Sequence, residues 1–444
     1  MGFSNIMDSN SYLGGPSADP ATQALIEARG RVLGPAYRLF YERPVHLVRG
    51  IGSHLFDADG VRYLDAYNNV VSVGHCNAHV IAAVTRQMET LNTHTRYLHE
   101  GIVDYSRRLL ESLSGSGSDG PDQVMYACTG SEANDLALRV AQMHTGARGV
   151  IVTADAYHGN TQAVTEISPS LGGAATIGPH VRTVSAPDSY RGGAEVAPRF
   201  LAGVQDAIAD LQATGHGVSC LIVDTIFASD GIYPDPSVLG PAVAAVRAAG
   251  GVFLADEVQP GFGRTGEAMW GFARHGVVPD LVTMGKPMAN GLPVAAMAAR
   301  AGVLEAFATA VPYFNTFGGN PVSMAAAGAV LDVIEDEHLM ANSDRIGGAL
   351  REEISRLVAE HPRIGEVRGS GLYLGVEVVT DRHTASPDRA GAHHLVNAMR
   401  ERRVLISVCG SHGNVLKVRP PMVFSMADVD WFCTEFAAAL ADLP

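Results

Sequence analysis

Short apolar runs alternate along the chain with helix-spaced stretches and with clusters of Gly, Pro, Asn and Asp, a pattern that predicts repeated strand and helix units. Gln123 to Ala127, Gly149 to Thr153, Val181 to Ser185, Cys220 to Asp224, Val252 to Leu254 and Leu281 to Met284 read as strands. Between them, helices are expected from the turn at Thr129 to Asn134 on to about His144, over Arg199 to Ala213, and over Pro241 to Ala249. Strands that are apolar on both faces, alternating with helices, predict an α/β domain whose parallel sheet is covered on both sides.

The flanks differ. Before this region lie one helical stretch, Ala21 to Arg29, and three short strand candidates, His46 to Val48, Gly52 to Leu55 and Arg62 to Leu64, the last two separated by the turn Asp57-Ala58-Asp59-Gly60. Two more helices, Val80 to Leu91 and one closing at Leu109 to Leu113, precede a Gly/Ser-rich loop from Ser114 to Gly120. After Asn320-Pro321 come long helices at Val322 to Glu335 and Asn342 to Glu360. Strands at Arg363 to Val367, Leu372 to Val379, Val404 to Ser407 and Val415 to Val418 follow, with helices at Ala390 to Arg402 and Met426 to Leu440, an α+β pattern. The expected division is an N-terminal arm and small-domain part over 1–60, a large domain over 61–325 and a smaller C-terminal domain over 326–444.

Composition narrows the function. A net charge of -14 argues against non-specific nucleic-acid binding, whose footprint is basic. Five scattered cysteines suit a reducing compartment better than a disulfide framework. The start, MGFSNIMDSN, lacks the features of a signal peptide, Ile6 breaks a myristoylation pattern, and no apolar run reaches the ~18 residues of a membrane span. A cytoplasmic location is expected. His75, Cys76 and His79 match no zinc spacing, so no metal is expected.

The candidate chemistry lies at strand ends. Val252 to Leu254 leads to Asp256-Glu257, and Leu281 to Met284 leads to Gly285-Lys286-Pro287. Only two lysines, Lys286 and Lys417, occur among 32 basic residues. A chain that has nearly dispensed with lysine and keeps one in MGKPMANG needs an amine there. Arginine cannot serve as a nucleophile, whereas a buried lysine shifts its pKa readily and can form a Schiff base. Gly130-Ser131, where a strand gives way to a helix, can cradle an anion, although such a pair is also an ordinary helix start. Tyr157-His158-Gly159 offers an aromatic face, and Asn315 to Pro321 a second small polar loop. An anion cradle, an aromatic plate, an acid and a lysine together describe a site for pyridoxal phosphate. Gly130-Ser131 would take the phosphate, Tyr157 the ring face, Asp256 the pyridine nitrogen and Lys286 the aldehyde carbon. No GxGxxG opens a helix after a first strand, so a dinucleotide is disfavoured.

In order, TGSEAND, AYHGNT, DEVQPGFGRTG, TMGKPMANG and NTFGGNP resemble the class III (ornithine/ω-amino acid type) aminotransferase family of pyridoxal-phosphate fold type I, over nearly the whole chain. The resemblance implies a large domain with a mainly parallel, seven-stranded type of sheet and a smaller α+β domain. It implies that His158 belongs to the cofactor site, that Val258 packs on the ring face and that Gln259 lies near its phenolic oxygen. It also implies that Thr316 binds the phosphate of the neighbouring subunit in a homodimer. YNNVVSVGHC, LNTHTRYLHEGIVDYSRRL and above all GNVLKVRPPMVF look more like the phospho-lyases of this family, which eliminate phosphate from amino-alcohol phosphates.

Family members that process amino or keto acids usually carry arginine three residues before the first proline; here that position is Lys417, with Arg419 beside the prolines. Lysine suits a phosphate as a point charge and arginine a bidentate carboxylate. The other reading of Lys417 is a structural salt bridge with Asp224, which stands where the aminotransferases generally have glutamate. Arg96, Asn68 and Asn69 lie in loops that align with pocket-forming segments. The expected activity is elimination of phosphate from phosphoethanolamine or a related amino-alcohol phosphate. The alternatives are an ω-aminotransferase and an ammonia-lyase acting on a hydroxylated aminophosphonate.

Overall fold

The computed structural model describes residues 5, 8, 10–15, 19–114, 120–173 and 176–443; most of the expected Gly/Ser-rich loop, the chain start with Ile6, and Pro16 lie outside them. Three short strands, β1 (Leu47–Ile51), β2 (His54–Asp57) and β3 (Arg62–Asp65), form an antiparallel meander. Asp57 Oδ1 accepts from the backbone N–H groups of Asp59 and Val61, which closes the turn between β2 and β3.

The large sheet contains β4 (Gln123–Ala127), β5 (Val150–Thr153), β6 (Val181–Val184), β7 (Cys220–Asp224), β8 (Val252–Asp256), β9 (Leu281–Met284) and β10 (Ala295–Ala299). Its order is β4-β10-β9-β8-β7-β5-β6. Neighbours from β9 through β6 pair in parallel, and β10 lies antiparallel between β4 and β9. The mainly parallel seven-stranded sheet is therefore present. β10 has no counterpart among the expected strands because its sequence, AAMAA, carries almost no strand propensity. All five residues are fully buried, and their small side chains fit against the helix Gly130–Thr145, so tertiary packing overrides propensity.

The remaining strands are β11 (Ile364–Ser370), β12 (Tyr373–Val378), β13 (Val404–Leu405), β14 (Ser407–Cys409) and β15 (Val415–Val418). An antiparallel sheet runs β11-β12-β15-β14. The single strand expected over Val404 to Ser407 is two strands in different sheets. β13 pairs in parallel with β3, and the Ile406 carbonyl, where the chain passes to β14, accepts from Tyr41 Oη.

Three large apolar cores result. Two cover the two faces of the seven-stranded sheet, and one of these includes Met324 to Ile334 of the helix Pro321–Asp336, so by core membership the change falls after this helix and not near residue 325. The third joins Tyr41, Leu55 and Leu64 to residues from Ile346 to Leu440. Buried side chains such as Leu64, Phe432 and Phe436 each contribute on the order of 1.5–3 kcal/mol. Among the described residues, no helix is long and apolar enough to cross a membrane.

Candidate active site

The carboxyl ends of the parallel strands, where open α/β sheets bind ligands, carry the polar residues. The helix Gly130–Thr145 starts there in a capping box: Thr129 Oγ1 accepts from the Glu132 N–H, and Glu132 Oε2 accepts from the Thr129 N–H. Gly130 and Ser131 occupy its first turn, where backbone N–H groups have no partner within the helix. Ser131 Oγ donates to Asn160 Oδ1 and accepts from the Asn160 N–H, tying this turn to the loop that carries Tyr157 and His158. Gly159 holds that loop at φ +138°, and a side chain there would overlap Ser131 Oγ. A Cβ on Gly130 would lie 3.1 Å from Val258 Cγ2.

Asp256 ends β8 and is 3% exposed. Its Oδ2 accepts from Asn134 Nδ2 at 3.0 Å and from His158 Nδ1 at 2.7 Å, and its Oδ1 accepts from the Val258 N–H at 3.1 Å. Asn134 is fixed in turn, donating to the His158 carbonyl and accepting from Thr283 Oγ1. The other nitrogen of the imidazole, His158 Nε2, is buried without a partner, so an N–H there would be unsatisfied. Glu257, the other half of the acid pair, faces away. It accepts from Thr225 Oγ1 and from the Gly271 and Phe272 N–H groups, and burial pushes its carboxyl up to about 7.

Asp224 is the register partner of Asp256 on the neighbouring strand, which places both carboxylates on one face. Burial and then the Asp256 charge push Asp224 up to about 6. Its Oδ2 accepts from Gln259 Nε2 at 3.3 Å. Lys286 follows β9; burial, then Arg419, pull its ammonium below its ordinary value against the pull of Asp256 and Asp224. Lys417, on β15 and 4% exposed, makes no hydrogen bond or ion pair with any described residue, and burial is the main reason it falls to about 8. The salt bridge to Asp224 considered from the sequence is absent among the described residues. Asp224 bonds Gln259 instead.

A cavity of about 270 Å³ gathers Gly130, Ser131, Tyr157, His158, Asp256, Val258, Gln259 and Lys286, together with Asp224. Thus eight sequence-derived candidates meet around one space. Leu292, Pro293, Val294, Cys128 and Val70 also line it; apolar and lacking a motif, the first three carried no signal in the sequence. Asn134, the brace behind Asp256, was visible only as the next-to-last letter of TGSEAND.

Other candidates lie outside the cavity. Arg419 is 6% exposed and is held from behind: its Nε donates to the Tyr67 carbonyl, and its Nη1 donates to Gln259 Oε1 and Tyr373 Oη. Its guanidinium sits 4.5 Å from the Tyr67 ring centroid, and it does not line the cavity. Asn68 is spent locally, its Oδ1 accepting from the Val70 N–H, while buried Asn69 reaches Gln259 Oε1 at 3.4 Å. Arg96 is exposed and covers the Phe314 ring at 4.1 Å, so within one chain it is a surface residue. Thr316 is likewise exposed, in the loop before Asn320. His75 and His79 pair with Asp65 and Asp332, and no three-residue metal cluster occurs among the described residues.

These residues fit pyridoxal phosphate. The free N–H groups at Gly130 and Ser131 suit its phosphate, the fixed Asp256 carboxylate suits its pyridine nitrogen, and Val258 and Tyr157, which both line the cavity, suit its ring.

Comparison with known proteins agrees with this chemistry. A family model described as aminotransferase class-III matches residues 40–440. A Drosophila melanogaster protein named alanine–glyoxylate aminotransferase 2-like is 40% identical over 430 residues, 94% of this chain and 86% of the other. A Caenorhabditis elegans protein named ethanolamine-phosphate phospho-lyase homolog 1 is 33% identical, covering 91% of this chain and 90% of its own. Among solved structures, a phospholyase from Arthrobacter in complex with phosphoethanolamine superposes with a TM-score of 0.91 at 43% identity, covering 95% of this chain and all of that one.

Proposed function

The chain belongs to the class III aminotransferase family and works with pyridoxal 5'-phosphate, and from that premise we propose that it is a phospho-lyase acting on phosphoethanolamine or a related amino-alcohol phosphate. The observation that carries this reading is Lys417: a buried ammonium with neither hydrogen bond nor ion pair to any described residue, close enough to the site for the Lys286 charge to act on it. A buried unpaired charge is costly, and an anionic group of the substrate offsets that cost. A compact ammonium suits a phosphate oxygen, and the arginine fork that would suit a keto-acid carboxylate is missing from this position. The likeness to the Arthrobacter phospholyase supports the same substrate class.

The chain's residues supply binding, orientation and proton transfer. The first turn of the helix Gly130–Thr145 would hold the cofactor phosphate, and Asp256, fixed by His158 and Asn134, would hold a proton at the pyridine nitrogen. Val258 and Tyr157 would keep the ring in place, with Gln259 beside them in the same cavity. When bound, the cofactor supplies an electron sink for the charge left by proton removal. Lys286, with its amine uncharged, takes a proton from the carbon bearing the substrate nitrogen. The electron pair then forms a double bond to the adjacent carbon, whose bond to the phosphate oxygen breaks, and phosphate leaves with that bonding pair. Water hydrolyses the released enamine. Phosphoethanolamine and water thus give acetaldehyde, ammonia and phosphate, with atoms balanced and no oxidant needed.

The enzyme is proposed to act as a homodimer, with Thr316 serving the neighbouring site. Exposed Tyr97, Leu98, Phe314 and Phe317 around that loop support the proposal. The activity test is purified protein with cofactor and phosphoethanolamine but no oxo acid, followed for phosphate and acetaldehyde. Many turnovers releasing both are expected. No phosphate, with a single-turnover loss of the cofactor's visible absorbance on adding amines, would replace this reading with the aminotransferase one that the Drosophila relative's name favours.

A further inference from the structure

The Gln259 side chain lines the cavity with Asp224 and Lys286 and is 7% exposed. Its amide has two unlike ends, an oxygen that accepts hydrogen bonds and a nitrogen that donates them. Three donors converge on the oxygen. Arg419 Nη1 donates to Oε1, Tyr373 Oη donates to it at 3.0 Å, and Asn69 Nδ2 reaches it at 3.4 Å. Arg419 Nη1 also donates to Tyr373 Oη at 3.5 Å, which leaves the phenol proton for Gln259. On the other side, Gln259 Nε2 donates to Asp224 Oδ2 at 3.3 Å. The bonds therefore run in one direction, from Arg419 through Tyr373 and Gln259 to Asp224.

A guanidinium has no acceptor. An amide turned end for end would set its N–H groups against those of Arg419 and its oxygen against a carboxylate. Both ends would lose their bonds in a buried site, so one orientation is imposed. Arg419 is itself immobilised: its Nε donates to the Tyr67 carbonyl, and its guanidinium stacks over the Tyr67 ring. Of the two Nε2 hydrogens of Gln259, Asp224 takes one, and no described residue takes the other. One N–H is left for an acceptor bound in the cavity.

We propose that Arg419 is a positioning residue for Gln259: with Tyr373 it fixes the amide so that the cavity is offered a hydrogen-bond donor at this point. The acceptor that suits such a donor is an oxyanion, and in pyridoxal phosphate that is the phenolic oxygen. This rests on Gln259 lying beside the cofactor ring, and not on the reaction that follows. Arg419 acts on the site through a side chain that it touches, without lining the cavity itself.

A donor at the phenolic oxygen stabilises its negative charge and weakens its hold on the neighbouring imine proton, so the visible absorbance of the bound cofactor changes with pH at a lower midpoint. Gln259→Ala removes the donor. Arg419→Met frees the amide to turn, since the Tyr373 hydroxyl can then accept as readily as donate. In each variant the midpoint is expected to rise by about half a pH unit or more, and in Arg419→Lys, which keeps a donor, to stay near the native value. Combining Gln259→Ala with Arg419→Met should raise it no further than Gln259→Ala alone, because the two act in series. The titratable groups that line the cavity, Cys128, Tyr157, His158, Asp224, Asp256 and Lys286, are the same in every variant. Additive movements would show Arg419 acting by its charge and overturn the proposal, as would a midpoint that moves in Gln259→Ala and stays fixed in Arg419→Met. A midpoint that Gln259→Ala leaves unmoved removes the premise, and the proposal with it. If Arg419→Met does not fold, Tyr373→Phe removes the second donor, and a rise that disappears in the Gln259→Ala background is required. No turnover is read, so the outcome is independent of the phospho-lyase reading.

Discussion

Replacing Lys417 by Met tests the substrate reading at its weakest bond. The side chain is 4% exposed and has no hydrogen-bond or ion-pair partner among the described residues, and it falls from an ordinary 10.5 to about 8. At neutral pH the ammonium is charged in both folded and unfolded chains, so the folded state carries the full burial cost, about 3 kcal/mol from the difference between those values. Because the folded value is depressed, this contribution worsens as pH falls through about 8 and vanishes above 10.5. Methionine is close in length, uncharged and flexible enough to fill the space. Without substrate, Lys417→Met should therefore unfold at higher urea than the native chain at pH 7, with the gap closing toward pH 10. The attraction to Asp224 is already contained in the value of about 8, so about 3 kcal/mol is the largest gain expected. With phosphoethanolamine present the order should reverse, because only the native chain gains from binding the anion. A variant less stable at pH 7 without ligand, or one stabilised by phosphoethanolamine as much as the native chain, would refute the reasoning: Lys417 would then be paired in solution and would not be the phosphate's partner.

Lys286→Met should lose the cofactor's characteristic visible band and lower turnover by about 10⁴-fold or more; a steady-state assay with added cofactor checks it. Asp256→Asn, which replaces a fixed carboxylate by a neutral amide facing His158, should lower kcat by about 10²- to 10⁴-fold while the protein still folds. Gly159→Ala forces a side chain onto Ser131 Oγ at φ +138°, and should weaken cofactor affinity by about 1–3 kcal/mol, read by fluorescence titration of the apoenzyme. Asp224→Asn should stabilise the protein only above pH 6. The Asp224 value is raised from 3.8 to about 6, so the native chain is most favoured below pH 4 and loses about 2–3 kcal/mol as pH rises past 6, a loss the amide avoids.

The sequence shows best what depends on local pattern. Strands such as Cys220 to Asp224, the capping box at Thr129 and Glu132, and the lone site lysine are written in neighbouring letters. β10 is not, since a run of alanines becomes a strand only when β4 and β9 flank it. Nor was the constraint on Arg419 legible, because its acceptors lie 352, 160 and 46 residues away along the chain. Spacing near the prolines suggested a hand extended to substrate; only the fold shows that hand already held. Loop alignment likewise carries no information on burial, and within one chain the Arg96 guanidinium ends over Phe314 at the surface. Glu257 looked equivalent to Asp256, but alternation along an extended segment turns the two acids to opposite sides.

The pairing of β13 with β3 sets Val404 beside Leu64, residues 340 apart by subtraction of their positions. Closing a loop of that length costs about 5 kcal/mol of chain entropy, and the contact cannot form until Leu405 has left the ribosome. The meander that opens the chain must therefore wait, its apolar face uncovered, while the seven-stranded sheet assembles behind it. Birth order and folding order run in opposite directions here, and the earliest-made segment is among the last to find its place. A chain ending near residue 400 should leave the tunnel with a finished cofactor sheet and an orphaned N-terminal ribbon, a marked target for chaperones and proteases.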